Sequence, residues 1–190
     1  ALIDELGPQQ WPFPAGSRQG TARLYTEGRF ATADGRAHFV AEAPRPLSEP
    51  ADSSYPLVLN TGRLRDQWHG MSRTGTAAQL FGHVERAQLS MHPQDMQARA
   101  LEDGDLVSLS SRRGTLILPV QADAQLRPGQ SFLPMHWGDR FLKGLGSNSL
   151  TLSNHDPLSK QPELKQAAVE VTRAELPWQL FVLVEGDVQQ

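Results

Sequence analysis

The 190-residue sequence contains no cysteine. This absence excludes a disulfide framework, thiolate ligation of a metal and a cysteine-bound iron–sulfur cluster within these residues. Long hydrophobic runs are also absent, since the longest apolar stretches, at residues 56–59 and 181–184, fall far short of the roughly 20 residues that span a bilayer. The formal net charge is only −3, which argues against a general nucleic-acid binder.

The ends of the chain carry no signal peptide, twin-arginine start or initiating methionine. We therefore expect a piece of a longer polypeptide, and the length predicts about one domain with tails. Proline and glycine concentrate in residues 1–54, which predicts an extended arm and, over residues 44–54, a flexible connector. Residues 55–173 form the predicted domain, and residues 174–190 form a C-terminal tail.

The predicted domain is mainly β with short helices. Turn residues separate the apolar segments, and Arg112-Arg113-Gly114 is a tight turn between two alternating runs, which predicts a hairpin. The predicted strands are residues 57–59, 106–109, 115–120, 131–135 and 168–172, and the predicted helices are residues 76–81, 93–101 and 162–166. A further pair of short strands is expected around Ala33-Asp34-Gly35. Short strands with single helices between them predict a closed β-barrel with helical crossovers.

The most informative segment is residues 55–73, YPLVLNTGRLRDQWHGMSR. A buried strand ends at Asn60-Thr61-Gly62, where glycine lets backbone N–H groups approach a ligand. Three arginines follow and only Asp66 opposes them, so the loop favours phosphate oxygens. Trp68 and His69 offer a ring face and a planar polar group. The alternative is a solvated arginine face with Trp68 packed inward.

Other chemistries find little support. Residues 70–76 have the glycine spacing of a P-loop but lack its lysine, and no GxSxG motif occurs. The six histidines never fall at the i, i+4 spacing of a helical zinc pair. Asp103 and Asp105 flank a glycine turn, as ordinary turn residues do. We therefore predict no catalytic residue and no metal ligand in this chain.

A second candidate region is residues 134–148, PMHWGDRFLKGLGSN, whose glycines and aromatics favour a loop that faces a ligand. His136 and Trp137 are equally consistent with a packed aromatic pair. Asn148 beside Gly146 is typical of a turn, and Lys165 is typical of a solvated helix.

Several segments, in the same order along the chain, resemble those of a known protein family. NTGRLRDQWHGMSRTG resembles the start of the C-terminal molybdopterin-dinucleotide-binding domain of molybdenum oxidoreductases, most closely the assimilatory nitrate reductases. The resemblance continues through MHPQDMQARALEDGDLVSLSSRRGTLILPVQ and SNSLTLSNHDPLSKQPELKQAAVEV, and it covers residues 55–171 in register. Several ordered motifs are a far more specific signal than one short pattern. The resemblance implies a six-stranded double-psi β-barrel.

The resemblance also implies the site residues. It makes residues 61–70 the dinucleotide loop, with backbone N–H groups from Thr61 and Gly62, charge from Arg63 and Arg65, ring edges and faces from Gln67, Trp68 and His69, and the remaining positions Leu64, Asp66 and Gly70. Asn148 matches an amide that contacts the bicyclic or guanine part of the cofactor, and Lys165 matches a lysine that contacts the cofactor. Met135 and His136 match positions near the cofactor and the substrate funnel.

The function implied by the resemblance is the binding of bis-molybdopterin guanine dinucleotide, with its molybdenum, in an enzyme that reduces nitrate to nitrite. The molybdenum ligand and a [4Fe–4S] cluster would come from a missing N-terminal part, so this chain alone should be inactive. Expected partners are the remaining domains of the parent enzyme and an electron donor, without nucleic acid or membrane, in the cytoplasm. One alternative is the same domain of a formate dehydrogenase or another molybdopterin oxidoreductase. The other is a stand-alone β-barrel binding module.

Overall fold

The computed structural model describes residues 2–142 and 146–177 and divides the chain into two compact units, Ala1–Arg45 and Pro46–Gln190. The described secondary structure comprises α1 (Leu2–Leu6), β1 (Leu57–Gly62), β2 (Leu89–Met91), α2 (Pro93–Gln97), β3 (Leu106–Ser110), β4 (Thr115–Ala122), β5 (Gln130–Pro134) and β6 (Ala167–Arg173), with 3-10 turns at Thr74–Thr76, Ala78–Phe81 and Gly146–Ser149. Within the described residues, no helix is long and apolar enough to cross a bilayer.

The six strands close into a barrel in the order β1-β5-β2-β4-β3-β6. β1 pairs in parallel with β5, and β2 pairs in parallel with β4, while the other contacts between neighbours are antiparallel. Parallel partners require crossover connections, which the intervening loops and α2 supply. The mainly β, six-stranded double-psi barrel expected from the sequence is confirmed.

The barrel core follows from the alternation of side chains along each strand. In β3 and β4 every second residue is buried, and the two strands form the predicted hairpin. The inward residues of these two strands are Val107, Leu109, Leu116, Leu118 and Val120. Leu57 and Leu59 of β1 and Leu133 of β5 join them in one cluster. Because these side chains fill the barrel interior, loops at its ends are left to carry function.

Two local predictions are wrong because side chains or distant backbone take the hydrogen bonds. Residues 27–36 form turns, since Asp34 accepts from the backbone N–H of Arg36 and Thr32 donates to the Arg36 carbonyl. Residues 162–166 form no helix, because Pro162 bridges to His155 and the Glu163 N–H donates to the Asn154 carbonyl.

Other segments differ in extent. α2 begins at Pro93 after the His92 cap, as predicted, but ends at Gln97, and Ala100 beyond it has a left-handed φ of 51°. The predicted helix over residues 76–81 is 3-10 turn. β2, which the sequence analysis did not predict, is completely buried between β4 and β5. The compact barrel unit starts at Pro46, within the segment expected to be a connector. The predicted tail lies outside the described residues beyond residue 177.

Candidate functional site

The candidate site lies where β1 and β5 end. Since these two strands are parallel, the loops that follow them leave the barrel at the same end. Gly62 pairs with Pro134, and the Met135 N–H donates to the Gly62 carbonyl at 2.8 Å. Residues 63–70, which we call the arginine loop, therefore begin beside Met135 and His136.

The base of the arginine loop is joined to a segment that lies about a hundred residues further along the chain. The Thr61 hydroxyl donates to the Leu164 carbonyl at 2.6 Å, and the Lys165 ammonium donates to the Thr61 carbonyl. A Cβ on Gly62 would lie 2.7 Å from a ring carbon of Phe132, so this position has no room for a side chain. The contacts bring the predicted residues Thr61, Gly62 and Lys165 together.

The charged side chains of the loop differ in whether they have a partner of opposite charge. Arg65 donates to both carboxylate oxygens of Asp66, at 2.7 and 2.8 Å. These hydrogen bonds raise the pKa of Arg65 and lower the pKa of Asp66. Arg63 instead lies over the Trp68 ring, 4.9 Å from its centroid. Within the described residues, neither Arg63 nor Arg73 forms an ion pair, so both cations are available to an anion.

The aromatic groups of the loop face solvent. Trp68 is 53% exposed, which disagrees with the alternative in which it packs inward. Its ring meets that of His69 edge-on, with 4.3 Å between the centroids. His69 is also exposed. Exposure of a large indole to water is unfavourable, and a ligand that covers the ring removes this cost. The indole also offers a planar ring to a base or a pterin.

The backbone of the loop presents free donors. The Trp68 N–H donates to the Thr74 hydroxyl at 3.2 Å, but among the described residues the N–H groups of Arg65, Asp66, His69 and Gly70 donate to no protein atom. Successive backbone N–H groups beside cationic side chains form an anion-binding concavity. The donor set therefore fits the pyrophosphate of a dinucleotide.

A second apolar cluster holds the far end of the loop. Met71, fully buried, packs with Ala87 and Trp137. Both His69 and Met71 have left-handed backbone, with φ values of 45° and 58°. Such backbone is costly for residues with a side chain and persists only where the surroundings fix it. The loop is thus held in a defined shape rather than hanging free in solvent.

Some predicted residues lie away from the exposed face of the loop. Gln67 is only 5% exposed, and its amide N–H donates to the Leu80 carbonyl at 3.1 Å. Leu64 is half-buried and packs against the second cluster. Asn148 is exposed in the Gly146–Ser149 turn, where its backbone carbonyl accepts from Thr151. Contact of these residues with a cofactor stays a prediction.

His136 is 1% exposed and bonds to both ends of the arginine loop. Its Nε2 accepts the Leu64 N–H at 2.8 Å, and its Nδ1 lies 2.7 Å from the His69 carbonyl oxygen. Met135 next to it is half-buried. The proximity of Met135 and His136 to a substrate stays a prediction. Sequence reasoning did not identify Thr74 and Phe132 as parts of the site, because neither belongs to a recognisable pattern.

Known proteins resemble this chain over most of its length. The molydopterin dinucleotide binding domain family matches residues 57–168. Proteins named nitrate reductase from Klebsiella oxytoca and Synechocystis sp. are 38% and 41% identical over 88% and 90% of this chain. A nitrate reductase from Shewanella frigidimarina is 31% identical over 94% of it. The chain spans only 19%, 24% and 21% of the lengths of these three relatives.

Among solved structures, acetylene hydratase from Pelobacter acetylenicus aligns with a TM-score of 0.53 and 18% identity, covering 63% of this chain and 18% of that one. This likeness shows the fold alone. The closed mixed barrel and the family match over residues 57–168 lead to one conclusion. The chain belongs to the molydopterin dinucleotide binding domain family.

Proposed function

We propose that this chain is the cofactor-binding domain of a molybdenum-dependent nitrate reductase, an enzyme that reduces nitrate to nitrite. In this proposal it holds the guanine dinucleotide ends of bis-molybdopterin guanine dinucleotide. The single observation that carries the proposal is the arginine loop. There the exposed face of Trp68 lies with N–H groups and an Arg63 guanidinium that have no hydrogen-bond or ion-pair partner among the described residues. A dinucleotide offers an anion and flat rings to these groups.

Each part of the loop has its own task. The N–H groups of the loop and the Arg63 guanidinium bind pyrophosphate oxygens, and Trp68 covers a ring of the ligand. Lys165, already beside the Thr61 carbonyl, adds a further cation at the base of the loop. Arg65 contributes less, because Asp66 occupies two of its donors and balances its charge. When bound, the molybdenum centre supplies the two-electron oxygen-atom transfer, while these residues supply position and charge.

Nitrate is favoured as substrate because all three relatives are named nitrate reductase and align over at least 88% of this chain. The barrel itself does not select the substrate, so a formate dehydrogenase would use the same loop. The exposed loop and the family match favour an enzyme domain over a stand-alone binding module.

The proposal extends to the rest of the enzyme. Since the sequence has no cysteine, a [4Fe–4S] cluster and any thiolate ligand would be supplied by other domains of the same enzyme. These domains and an electron donor are the proposed partners, in the cytoplasm, without membrane or nucleic acid. By itself the chain should not reduce nitrate.

The test uses the natural polypeptide that contains this sequence. After purification, its molybdenum, iron and guanine nucleotide contents are measured. Two activities are assayed beside them: oxidation of a reduced viologen dye that depends on nitrate, and reduction of an oxidised viologen dye that depends on formate. Molybdenum with two guanine nucleotides per metal and nitrate turnover would support the whole proposal. The same contents with formate turnover would keep cofactor binding and overturn the substrate. Neither metal nor guanine nucleotide would overturn both.

A further inference from the structure

The buried ring of His136 contacts the backbone of the arginine loop at two points. The ring accepts the Leu64 N–H near the start of the loop and contacts the His69 carbonyl near its end. The two contacting residues are five positions apart, and the ring is 1% exposed. Because β5 ends at Pro134, in register with Gly62 of β1, its continuation reaches under the loop that follows β1. The position of the ring is therefore a product of the parallel strand pair.

The two hydrogen bonds determine where the ring proton lies. A backbone N–H can only donate, so the Nε2 that faces Leu64 carries no proton. A backbone carbonyl can only accept, so the Nδ1 that faces His69 carries one. A doubly protonated ring would have no acceptor for Leu64. The arrangement requires a neutral ring protonated on Nδ1.

The His69 contact is made where the loop needs support. His69 and Met71 have left-handed φ values of 45° and 58°, which the buried Met71 side chain and the His136 bond hold from two sides. Strained backbone is kept at ligand sites when the surroundings fix it. The N–H groups of Arg65, Asp66, His69 and Gly70 lie between or beside the two bonded residues. Holding both ends therefore fixes the spacing of these donors.

We infer that His136 is a positioning residue for the arginine loop, acting through a neutral ring protonated on Nδ1. Both ring nitrogens bond to the protein, so His136 makes no direct bond to the ligand. It preorganises the donors that bind pyrophosphate, and preorganisation strengthens binding by removing the cost of ordering the loop. The inference rests on the proposed dinucleotide binding only for this last step.

The first test needs no substitution and no ligand. A long-range proton–nitrogen NMR spectrum of the purified chain shows which nitrogen of each histidine is protonated. The expected result for His136 is a protonated Nδ1 and an unprotonated Nε2, with a slowly exchanging ring proton. A ring protonated on Nε2, or one that averages between both forms, would overturn the inference even if the chain binds nucleotide.

The second test compares three variants by limited trypsin digestion. Trypsin cleaves after Arg63 and Arg65 in the loop and after Arg23, an exposed residue of the first compact unit, which serves as the internal standard. His136→Leu removes both bonds, and we expect cleavage in the loop to accelerate about ten-fold relative to cleavage after Arg23, since each net hydrogen bond changes an opening equilibrium by up to about that factor. His136→Gln offers one acceptor and one donor and should restore most of the protection.

The control variant is His92→Leu. His92 Nδ1 also accepts a backbone N–H, that of Gln94 at 3.1 Å, but it caps α2 and does not touch the loop. If cleavage at Arg63 and Arg65 rises equally in His92→Leu and His136→Leu, the effect is general destabilisation and the inference is wrong.

Guanosine 5′-diphosphate is the probe for the functional consequence. We expect His136→Leu to weaken its binding about ten-fold and His136→Gln to stay within about three-fold of the unsubstituted chain. Equal affinity in all three, with binding intact, would overturn the positioning role and keep the proposed function. Absence of binding in the unsubstituted chain would instead overturn the proposed function, while the NMR and digestion results still decide the role of His136.

Discussion

Two arginine-containing turns of the barrel use their charges differently. The arginine loop follows β1, and the turn over residues 111–114 joins β3 to β4. In the β3–β4 turn, Arg113 donates to both carboxylate oxygens of Glu49, at 2.6 and 2.9 Å, and to the Leu150 carbonyl at 3.1 Å. In the loop, Arg63 lies on an exposed ring and pairs with no carboxylate among the described residues.

The difference shows that local density of positive charge does not identify an anion site. The β3–β4 turn is as rich in arginine as the loop, yet Arg112 pairs with Asp52 and lies 4.6 Å from the centroid of the Tyr55 ring. Its charges hold residues 46–54 against the barrel. What distinguishes the arginine loop is that, among the described residues, the Arg63 guanidinium and four backbone N–H groups of the loop lack protein partners. We expect this property to decide where a ligand binds.

The largest effect is expected at the β3–β4 turn. Arg113→Ala would leave Glu49, with only 13% of its side chain exposed, without its bidentate partner. We expect the free energy of unfolding to fall by about 2–3 kcal/mol, somewhat less than for a completely buried pair. Urea denaturation measures this change. Arg127→Ala, at an exposed turn, is the matched control and should stay within about 0.5 kcal/mol; an equally small change for Arg113→Ala would contradict the structural role.

Arg63→Ala should show the reverse behaviour. We expect the free energy of unfolding to change by less than about 0.5 kcal/mol, because the side chain is exposed. Binding of guanosine 5′-diphosphate should weaken about ten-fold, or roughly 1.4 kcal/mol, through loss of a charge-assisted contact. Calorimetric titration measures it. Arg127 lies before β5, at the opposite end of that strand from the loop, so Arg127→Ala should bind normally.

Acid should weaken the β3–β4 turn through Glu49. Hydrogen bonds from Arg113 lower the pKa of Glu49, so the unfolded chain binds this proton more readily than the folded chain does. The stabilisation is fully present above the unfolded pKa of about 4.3 and is lost as the pH falls through the lower folded pKa. We expect Glu49 to account for about 1 kcal/mol of the loss on acidification.

The variant Glu49→Gln isolates the contribution of Glu49 to the pH dependence of stability, since other carboxylates titrate in the same pH range. The urea midpoints of the unsubstituted chain and of Glu49→Gln, measured from about pH 6 to pH 3, should converge as the pH falls. Parallel curves would show that Glu49 contributes no pH-dependent stability.

The smallest effect is expected for Arg65→Ala. Asp66 already accepts from this guanidinium in an exposed pair, so little of its charge is free for a ligand. We expect binding of guanosine 5′-diphosphate to weaken only about two- to three-fold. If Arg65→Ala weakens binding as strongly as Arg63→Ala, partner availability does not rank the arginines, and the comparison between the two turns loses its basis.

Local features of the fold could be predicted from the sequence, because they depend on nearby residues. The β3–β4 hairpin follows from alternation around a turn, and the start of α2 follows from His92-Pro93. The positive loop after β1 was also visible in the spacing of its arginines. The alternation of short strands and single helices predicted a closed barrel, but its six-stranded double-psi version came from the family resemblance, since strand order depends on pairings between distant segments.

The contacts that the sequence did not predict join residues far apart along the chain. Glu49 pairs with Arg113, which lies 64 positions further along the chain. Because no nearby residue indicates this pair, the local composition of residues 44–54 predicted a flexible connector. Likewise, His136 meets Leu64 across 72 positions, and only the parallel pairing of β1 and β5 brings them together. No local pattern encodes such contacts. The sequence thus indicated which candidate residues have suitable chemistry, whereas their contacts became visible only in the structure.

The most direct test of the central claim is a proton–nitrogen NMR titration of the chain with guanosine 5′-diphosphate up to millimolar concentration. The account predicts that the backbone amide signals of residues 63–70 shift in a saturable manner, together with those near Lys165, while the signals of residues 111–114 stay in place. Shifts centred on residues 111–114, or no saturable shift anywhere, would contradict the claim that unpartnered donors in the arginine loop form the dinucleotide site.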